Sequence, residues 1–419
     1  EDHAPVMLQG HMDMVCEKRA GVEHDFEKDG LDLIIRDGRL TANGTTLGGD
    51  NGVAVALMLM VLDDDEIEHP PVECVFTTEE EVGLNGAKAL DKSVLKARTM
   101  INMDSEDEGV ATVSCAGGLR VQFTKEIQRT TVQGSLLTLK VEGLLGGHSG
   151  QDIDKERQNA DLLMARMIQR LLKETKGQLV SFNGGTKDNA IPRECEASLI
   201  YESDEEAAKA EELACELAET YAEELTPAEP DFSCEIFCET NRTAEAIPQD
   251  AAKEFICAMR LAPNGIQKRN IKMDGFVVVS LNLGVVRTEE DRIVMIFSPR
   301  SSVASLQEDT KERLNTLAET FGFTVSHSSE YPGWSFKEDS PVREICKESY
   351  KELFGEDLKI EAIHAGLECG LFSDAIKGLD AIAIGPTIAN CHTPDEYLTL
   401  DSFERFYEFL KDILSRLAK

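Results

Sequence analysis

Strands and helices alternate in both terminal parts of this 419-residue chain, and few folds accommodate that order. The segments PVMLQG, VECVFTT and TMINMD predict strands, and GVAVALMLMVL (52–62) and NGAKALD predict helices between them. A β-α-β-α-β order predicts a parallel sheet flanked by helices. The same alternation of predicted strands and helices returns after about residue 331 and ends in the amphipathic segment LTLDSFERFYEFLKDILSRLAK.

The middle of the chain has a different pattern. Alternating stretches such as LRVQFTKEI and LLTLKVEGL precede the amphipathic helical segment NADLLMARMIQRLLKE. We therefore predict an α/β fold with a mainly parallel sheet flanked by helices. Residues 1–117 and 331–419 would form that domain, and residues 118–330 would form an inserted α+β domain.

The composition excludes several classes of function. Acidic residues outnumber basic residues 78 to 43, and the net charge of −35 argues against nucleic acid and anionic membranes as partners. No apolar run approaches the roughly 20 residues that span a bilayer. The eleven scattered cysteines indicate reduced thiols and a cytoplasmic location. Because a predicted strand follows Glu1 almost at once, we expect that a further segment precedes it.

Acidic and histidine side chains follow the ends of the predicted strands, where ligands bind in open parallel sheets. His11 and Asp13 follow the first strand, Asp50 precedes the first helix, Glu79, Glu80 and Glu81 follow the second strand, Asp104 follows the third, and His392 follows the last. We expect these five connections to meet at one edge of the sheet.

Each of these residues alone has an ordinary structural explanation. His11 could be a hydrogen-bonded edge histidine, Asp50 a helix N-cap, and the glutamates a solvated turn. Together, buried carboxylates repel one another unless a cation lies among them. Two imidazoles among carboxylates suit zinc, cobalt or manganese better than calcium or magnesium. Because a single ion uses about three protein ligands, five groups predict a two-metal site with one shared carboxylate.

Motifs along nearly the whole chain resemble those of the bacterial aminoacyl-histidine dipeptidases, also called cytosolic non-specific or carnosinase-like dipeptidases, of the co-catalytic zinc peptidase clan. They are GHMDMV, LGGDNG, TTEEEVGLNGA, NMDSEDEG, GGHSGQDI, DNAIPRE, SPRSS, HAGLECGLF and CHTPDEY, and they occur in the family's order. The resemblance implies a metal-dependent dipeptidase that hydrolyses unblocked dipeptides, including Xaa-His.

The resemblance also implies two Zn²⁺ per chain, with Co²⁺ or Mn²⁺ as substitutes. The implied ligands are His11 and Asp104 on one ion, Glu81 and His392 on the other, and Asp50 as the bridge. Asp13 would bond His11 and fix its tautomer. Glu80 would be the general base, taking a proton from the attacking water. The family often has Asp-Glu-Glu where this chain has Glu79–Glu81, and the following VGLNGA aligns Glu81 with the metal ligand.

The inserted domain would supply the other catalytic group. By resemblance, His148 would stabilise the oxyanion, and it would do so in the partner's site of a homodimer formed through the inserted domains. Arg300 would bind the substrate carboxylate, and Asn189 and the Gly366 backbone would hold the rest of the dipeptide.

Two other hypotheses remain open from the sequence. The first is a deacylase or carboxypeptidase of the same di-zinc clan, against which HAGLECG and NMDSEDEG favour the dipeptidase. The second is a binding or scaffold protein with a decayed site, against which the complete set of ligands and base argues.

Overall fold

A computed structural model describes residues 3–271 and 275–419. Two compact units divide the chain: the residues up to Ala116 together with Pro332–Lys419 form unit 1, and Gly117–Tyr331 form unit 2. The sequence placed these junctions at 117/118 and 330/331. Within the described residues, no helix is long and apolar enough to cross a membrane.

Unit 1 begins with an alternation of strands and helices. Its first part comprises β1 (Val6–His11), β2 (Leu33–Arg36), β3 (Arg39–Ala42), α1 (Gly49–Asp63), β4 (Val72–Thr77), α2 (Asn85–Ala89), β5 (Thr99–Asn102) and β6 (Val110–Cys115). The helix predicted at 52–62 is α1, in which Gly49 is followed by two residues with non-helical backbone angles, Asp50 and Asn51.

Unit 2 consists mostly of long antiparallel strands. It comprises β7 (Gly117–Glu126), β8 (Thr130–Glu142), β9 (Gly147–His148), α3 (Ala160–Glu174), β10 (Gln178–Gly184), β11 (Ala190–Ile191), β12 (Cys195–Tyr201), α4 (Asp204–Leu225), β13 (Ser233–Ala246), α5 (Gln249–Leu261), β14 (Gly265–Asn270), β15 (Phe276–Thr288), β16 (Arg292–Ser301), α6 (Ala304–Thr320) and β17 (Thr324–Tyr331). Its principal sheet has the order β13-β8-β12-β10-β15-β16-β7-β17, with β14 beside β15. The helices α3, α4, α5 and α6 contribute to the apolar core on this sheet.

The chain then returns to unit 1. The last elements are α7 (Pro341–Phe354), β18 (Lys359–Ile363), α8 (Glu368–Ala375), β19 (Asp380–Ala383), β20 (Ile388–Ala389), β21 (Tyr397–Thr399) and α9 (Leu400–Leu417). The main sheet of this unit has the order β18-β6-β19-β5-β1-β4. Its pairings are parallel except for that between β19 and β6, so the predicted α/β class is confirmed.

The position of β1 determines where a ligand can bind. After β1 the chain adds β4 on one side, and it then crosses to add β5 on the other side. Such a reversal leaves a crevice beyond the carboxyl ends of the strands. The register pairs His11 with Thr77 of β4 and Gln9 with Asn102 of β5, so these strands end side by side.

Candidate metal centre

The imidazole of His11 lies at the centre of the strand ends. His11 is the last residue of β1 and is 1 % exposed. Its Nε2 lies 3.1 Å from Asp50 Oδ1 and 3.5 Å from Asp104 Oδ1. Asp104 follows β5, and Asp50 lies at the start of α1, so three connections meet at one nitrogen.

A second imidazole approaches Asp50 from the other side. His392 Nε2 lies 3.2 Å from Asp50 Oδ2 and 3.0 Å from Glu81 Oε1. The two oxygens of Asp50 therefore face different histidines, and the carboxylate does not cap its helix. The structure brings together all five residues predicted as metal ligands, in two groups that share Asp50.

The charges in this cluster are not balanced by the chain alone. Burial opposes a charge on His11, but the hydrogen bonds to Asp104 and Asp50 outweigh it and raise its pKa to about 12. The hydrogen bond to Asp50 raises the pKa of His392 to about 9. Burial raises the pKa of both Asp104 and Glu81. A cation bound among these groups would displace protons from the imidazoles, because histidine binds a metal in its neutral form.

The donor set fits a divalent metal. Ligand atoms of His11, Asp50 and Glu81 all lie within 4.8 Å of one another. Imidazole nitrogens combined with carboxylate oxygens are a donor set that zinc and similar transition metals accept. A cation among these groups would offset the repulsion between the carboxylates.

Glu80 is placed beside this cluster and differs from Glu81. Burial, reinforced by the negative charge of Asp104, raises the pKa of Glu80 to about 8. Glu81 hydrogen-bonds His392. The two neighbours therefore occupy different environments in the turn that follows β4.

The contacts of Asp13 differ from those expected. His11 Nδ1 lies 3.0 Å from the backbone oxygen of Asp13, whereas the nearer carboxylate oxygen is 3.6 Å away. The carboxylate instead accepts the backbone N–H groups of Glu80 at 3.1 Å and Glu81 at 3.2 Å. In place of the predicted carboxylate–imidazole bond, His11 Nδ1 donates to the main-chain oxygen of Asp13. The side chain of Asp13 holds the turn that carries both glutamates.

Glu396 supports the candidate site from behind, and the sequence interpretation missed it. It is 2 % exposed. Its carboxylate accepts the backbone N–H groups of Leu47 at 2.7 Å, Gly48 at 3.0 Å and Asp50 at 3.2 Å. It thereby fixes the loop that presents Asp50. Its place in the CHTPDEY motif, four residues after His392, was the available signal.

His148 and Asn189 lie together in unit 2. His148 is in β9, which pairs with β11, and Ser149 N donates to Asn189 O at 2.9 Å. The backbone N–H groups of Gly150 and Gln151 donate to His148 Nδ1. Because Nδ1 accepts these bonds, the ring proton of the neutral form lies on Nε2. Burial and the positive charge of Arg300 lower the pKa of His148.

Arg300 lies in β16 and is 7 % exposed. Its Nη1 donates to the Tyr331 hydroxyl at 3.0 Å, and Nε has no partner among the described residues. Gly366 lies in unit 1, between β18 and α8. Each unit thus holds a distinct subset of the predicted residues.

A main sheet with acidic and histidine groups gathered at the ends of its parallel strands is the arrangement of a metal-dependent hydrolase. The chain belongs to peptidase family M20/M25/M40, which matches residues 7–416.

Two relatives are similar to the chain over nearly its whole length, and a third solved structure shares its fold. It is 35 % identical over 423 residues to the cytosol non-specific dipeptidase of Escherichia coli K12, covering 100 % of this chain and 86 % of that protein. The crystal structure of an aminoacylhistidine dipeptidase from Vibrio alginolyticus is 36 % identical and superposes with a TM-score of 0.93, covering 99 % of this chain and 85 % of that one. An M20 metallo-carboxypeptidase from Sulfolobus solfataricus is 15 % identical, covers 100 % of this chain and 85 % of that one with a TM-score of 0.51, and supports the fold alone. These comparisons confirm the predicted family and the predicted class, a metal-dependent dipeptidase.

Asp13→Ala should lower metal affinity or kcat by about 10- to 100-fold, because it leaves the N–H groups of the Glu80–Glu81 turn without their acceptor. Titration with Co²⁺ and steady-state kinetics measure the two effects. Asp25→Ala is the matched control, since this exposed aspartate in the same unit also accepts a backbone N–H, from Glu27. Equal metal affinity and kcat in both variants would contradict the role of Asp13.

Proposed function

We propose that this protein is a dinuclear metallopeptidase that hydrolyses unblocked dipeptides, including Xaa-His, with two Zn²⁺ per chain, which Co²⁺ or Mn²⁺ can replace. The observation that carries the proposal is Asp50, whose two carboxylate oxygens face two different histidines. One carboxylate shared in this way would join two ion sites, with His11 and Asp104 on one side and Glu81 and His392 on the other.

The chain's own residues divide the chemistry among them. Two divalent ions held there would polarise the scissile carbonyl and make the attacking water more acidic. Glu80 would accept the proton of that water and return it to the leaving amine. Burial and the charge of Asp104 raise the pKa of Glu80, and cations bound beside Asp104 would lower it again and favour the carboxylate that accepts the proton.

Unit 2 would supply donors to the substrate. His148 carries its proton on Nε2 in the neutral form, so it can donate to the oxyanion of the tetrahedral intermediate. Arg300, whose Nε has no hydrogen-bond partner in the described part of the chain, would bind the terminal carboxylate of the dipeptide. Asn189 and the backbone of Gly366 would hold the remainder of the substrate.

The metal count can be measured directly. Elemental analysis should find about two divalent ions per wild-type chain. Asp50→Ala should lose the most metal of any single variant, because it removes a ligand from both ions. Asp37→Ala, at an exposed turn, is the control. Two ions retained in Asp50→Ala would contradict the shared role.

Glu80→Gln and Glu81→Gln should separate chemistry from binding. Glu80→Gln removes the proton acceptor but preserves the shape of the side chain, so kcat should fall by about 10²- to 10⁴-fold while metal content stays unchanged. Glu81→Gln should lose metal. The opposite result, with metal lost from Glu80→Gln alone, would exchange the roles of the two neighbours.

Substrate length tests the assigned reaction. Because Arg300 would bind a free carboxylate close to the metals, unblocked dipeptides should be hydrolysed much faster than tripeptides or amidated dipeptides. Arg300→Ala should reduce this discrimination by raising the KM for free dipeptides alone. A preference for N-acyl amino acids over dipeptides would favour the alternative, a deacylase or carboxypeptidase of the same clan.

A homodimer through the inserted domains is proposed for the assembly, with His148 acting in the partner's site. Mixing inactive Glu80→Gln chains with inactive His148→Ala chains would then restore activity. With free exchange at equal mixing, about half of the dimers are mixed and each has one working site, so roughly a quarter of wild-type activity should return. Mixing two samples of Glu80→Gln that carry different tags controls for exchange. Exchange without recovery would mean that His148 acts in its own chain's site or not at all.

The proposed location is the cytoplasm, which the name of the E. coli relative and the scattered cysteines support. The proposed partner is the dipeptide substrate. The net charge of −35 argues against nucleic acid and anionic membranes.

A further inference from the structure

A layer of buried polar side chains lies directly before the metal-binding ends of the strands. Gln9 in β1 and Asn102 in β5 are 0 % exposed, and Thr77 at the end of β4 is 4 % exposed. Gln9 precedes His11 by two residues, and Asn102 precedes Asp104 by two. Since residues two apart in a strand project to the same side, Gln9 lies on the face of β1 that carries the His11 side chain.

A buried carboxyl group completes this layer from a distant part of the sequence. Glu368, the first residue of α8, is 0 % exposed. Its Oε2 accepts from Gln9 Nε2 at 2.5 Å and from Thr77 Oγ1 at 2.6 Å. The amide of Asn102 donates to Gln9 Oε1 at 2.6 Å. The Glu368 side chain thus bonds β1 and β4 directly and reaches β5 through Gln9.

The connections continue to the metal site. Asn102 Oδ1 accepts the backbone N–H of Asp104 at 3.2 Å. Thr77 is the last residue before the turn that carries Glu80 and Glu81. Small movements of these side chains would therefore shift Asp104, which follows β5, and Glu80, which lies on the turn after β4.

A purely local role at the start of α8 does not explain this arrangement. Helix α8 has no side-chain cap hydrogen bond, and the Glu368 carboxyl points to the strands. The groups that bond it, an amide and a hydroxyl, carry no charge. Burying a carboxylate is costly when its hydrogen-bond partners are neutral, and burial raises the pKa of Glu368 to about 7. Such a cost is commonly found where a polar group maintains a functional geometry.

We propose that Glu368 is a positioning residue for this metal centre: through Gln9, Thr77 and Asn102 it fixes the strand ends that present His11, Asp104 and Glu80. This inference rests on the proposed function for its effect on kcat. Its effect on metal geometry does not depend on which substrate is hydrolysed. Glu368 itself would contact neither metal nor substrate.

The experiment compares Glu368→Ala and Glu368→Gln with wild type. Glu368→Ala should lower kcat or Co²⁺ affinity by about 10- to 100-fold, with KM for the dipeptide unchanged. The visible absorption spectrum of the Co²⁺-loaded protein should change as well, because it reports the ligand geometry. Glu368→Gln should keep the wild-type spectrum and most of kcat, because an amide oxygen can accept both hydrogen bonds.

The control is Asp380→Ala, which removes another buried carboxylate of unit 1. Asp380 begins β19, and its Oδ2 accepts the N–H of Val342 at 3.0 Å, at the sheet end opposite the metal centre. This variant should lose stability but keep kcat and the cobalt spectrum. Thr77→Val removes one bond to Glu368 at nearly constant volume and should show a smaller change in the same direction as Glu368→Ala.

Wild-type kcat and an unchanged cobalt spectrum in folded Glu368→Ala would overturn the proposal. Equal losses in Glu368→Gln and Glu368→Ala would also overturn it, since the accepted hydrogen bonds would not be the cause. If Glu368→Ala does not fold, Thr77→Val decides, and unchanged values there count against the proposal. Failure of the dipeptidase function is distinguishable, because the wild-type protein would then hydrolyse no dipeptide while the cobalt spectra still report the geometry.

Discussion

Repulsion among the carboxylates at the ends of β1, β4 and β5 is the constraint on which the rest of the site depends. Asp50, Glu81 and Asp104 lie within hydrogen-bonding reach of two imidazoles, which offset only part of their charge. Parallel strands and their register force these groups together whether or not a cation is present. This arrangement is unfavourable without a cation, and a divalent ion among the carboxylates would offset their repulsion.

Acidic residues near the site serve three different purposes. Some would bind metal, and Glu80 would transfer a proton in the proposed reaction. Asp13 and Glu396 do neither, because their carboxylates accept backbone N–H groups of the loops that carry Glu81 and Asp50. These accepted bonds keep the loops in position at the points where the carboxylates of the site would otherwise push them apart. Two carboxylates that bind no metal thus hold the loops that carry the proposed metal ligands.

The sequence pattern was sufficient to predict the fold class, because apolar runs show where strands end. It was also sufficient to predict that the five proposed ligands lie close together, because the carboxyl ends of parallel strands meet at one edge of the sheet. It did not reveal the contact that Asp13 makes. A carboxylate two residues from a histidine can bond the ring or a neighbouring loop, and only the path of the turn after β4 decides between them. Glu396 and Glu368 were missed for the same reason. Their partners are 291 to 359 positions away in the sequence, so the contacts themselves cannot be derived from local spacing.

The protonation of His148 shows how local structure can outweigh the charge of the whole molecule. A net charge of −35 favours protonated histidine, yet burial and Arg300 lower the pKa of this imidazole. The two backbone N–H groups at Nδ1 also disfavour a second proton, because they need an acceptor there. In the proposed reaction, a neutral imidazole would stabilise the oxyanion through its Nε2–H without giving that proton away. Proton delivery to the leaving amine is then left to Glu80, and the two groups do not compete for the same step.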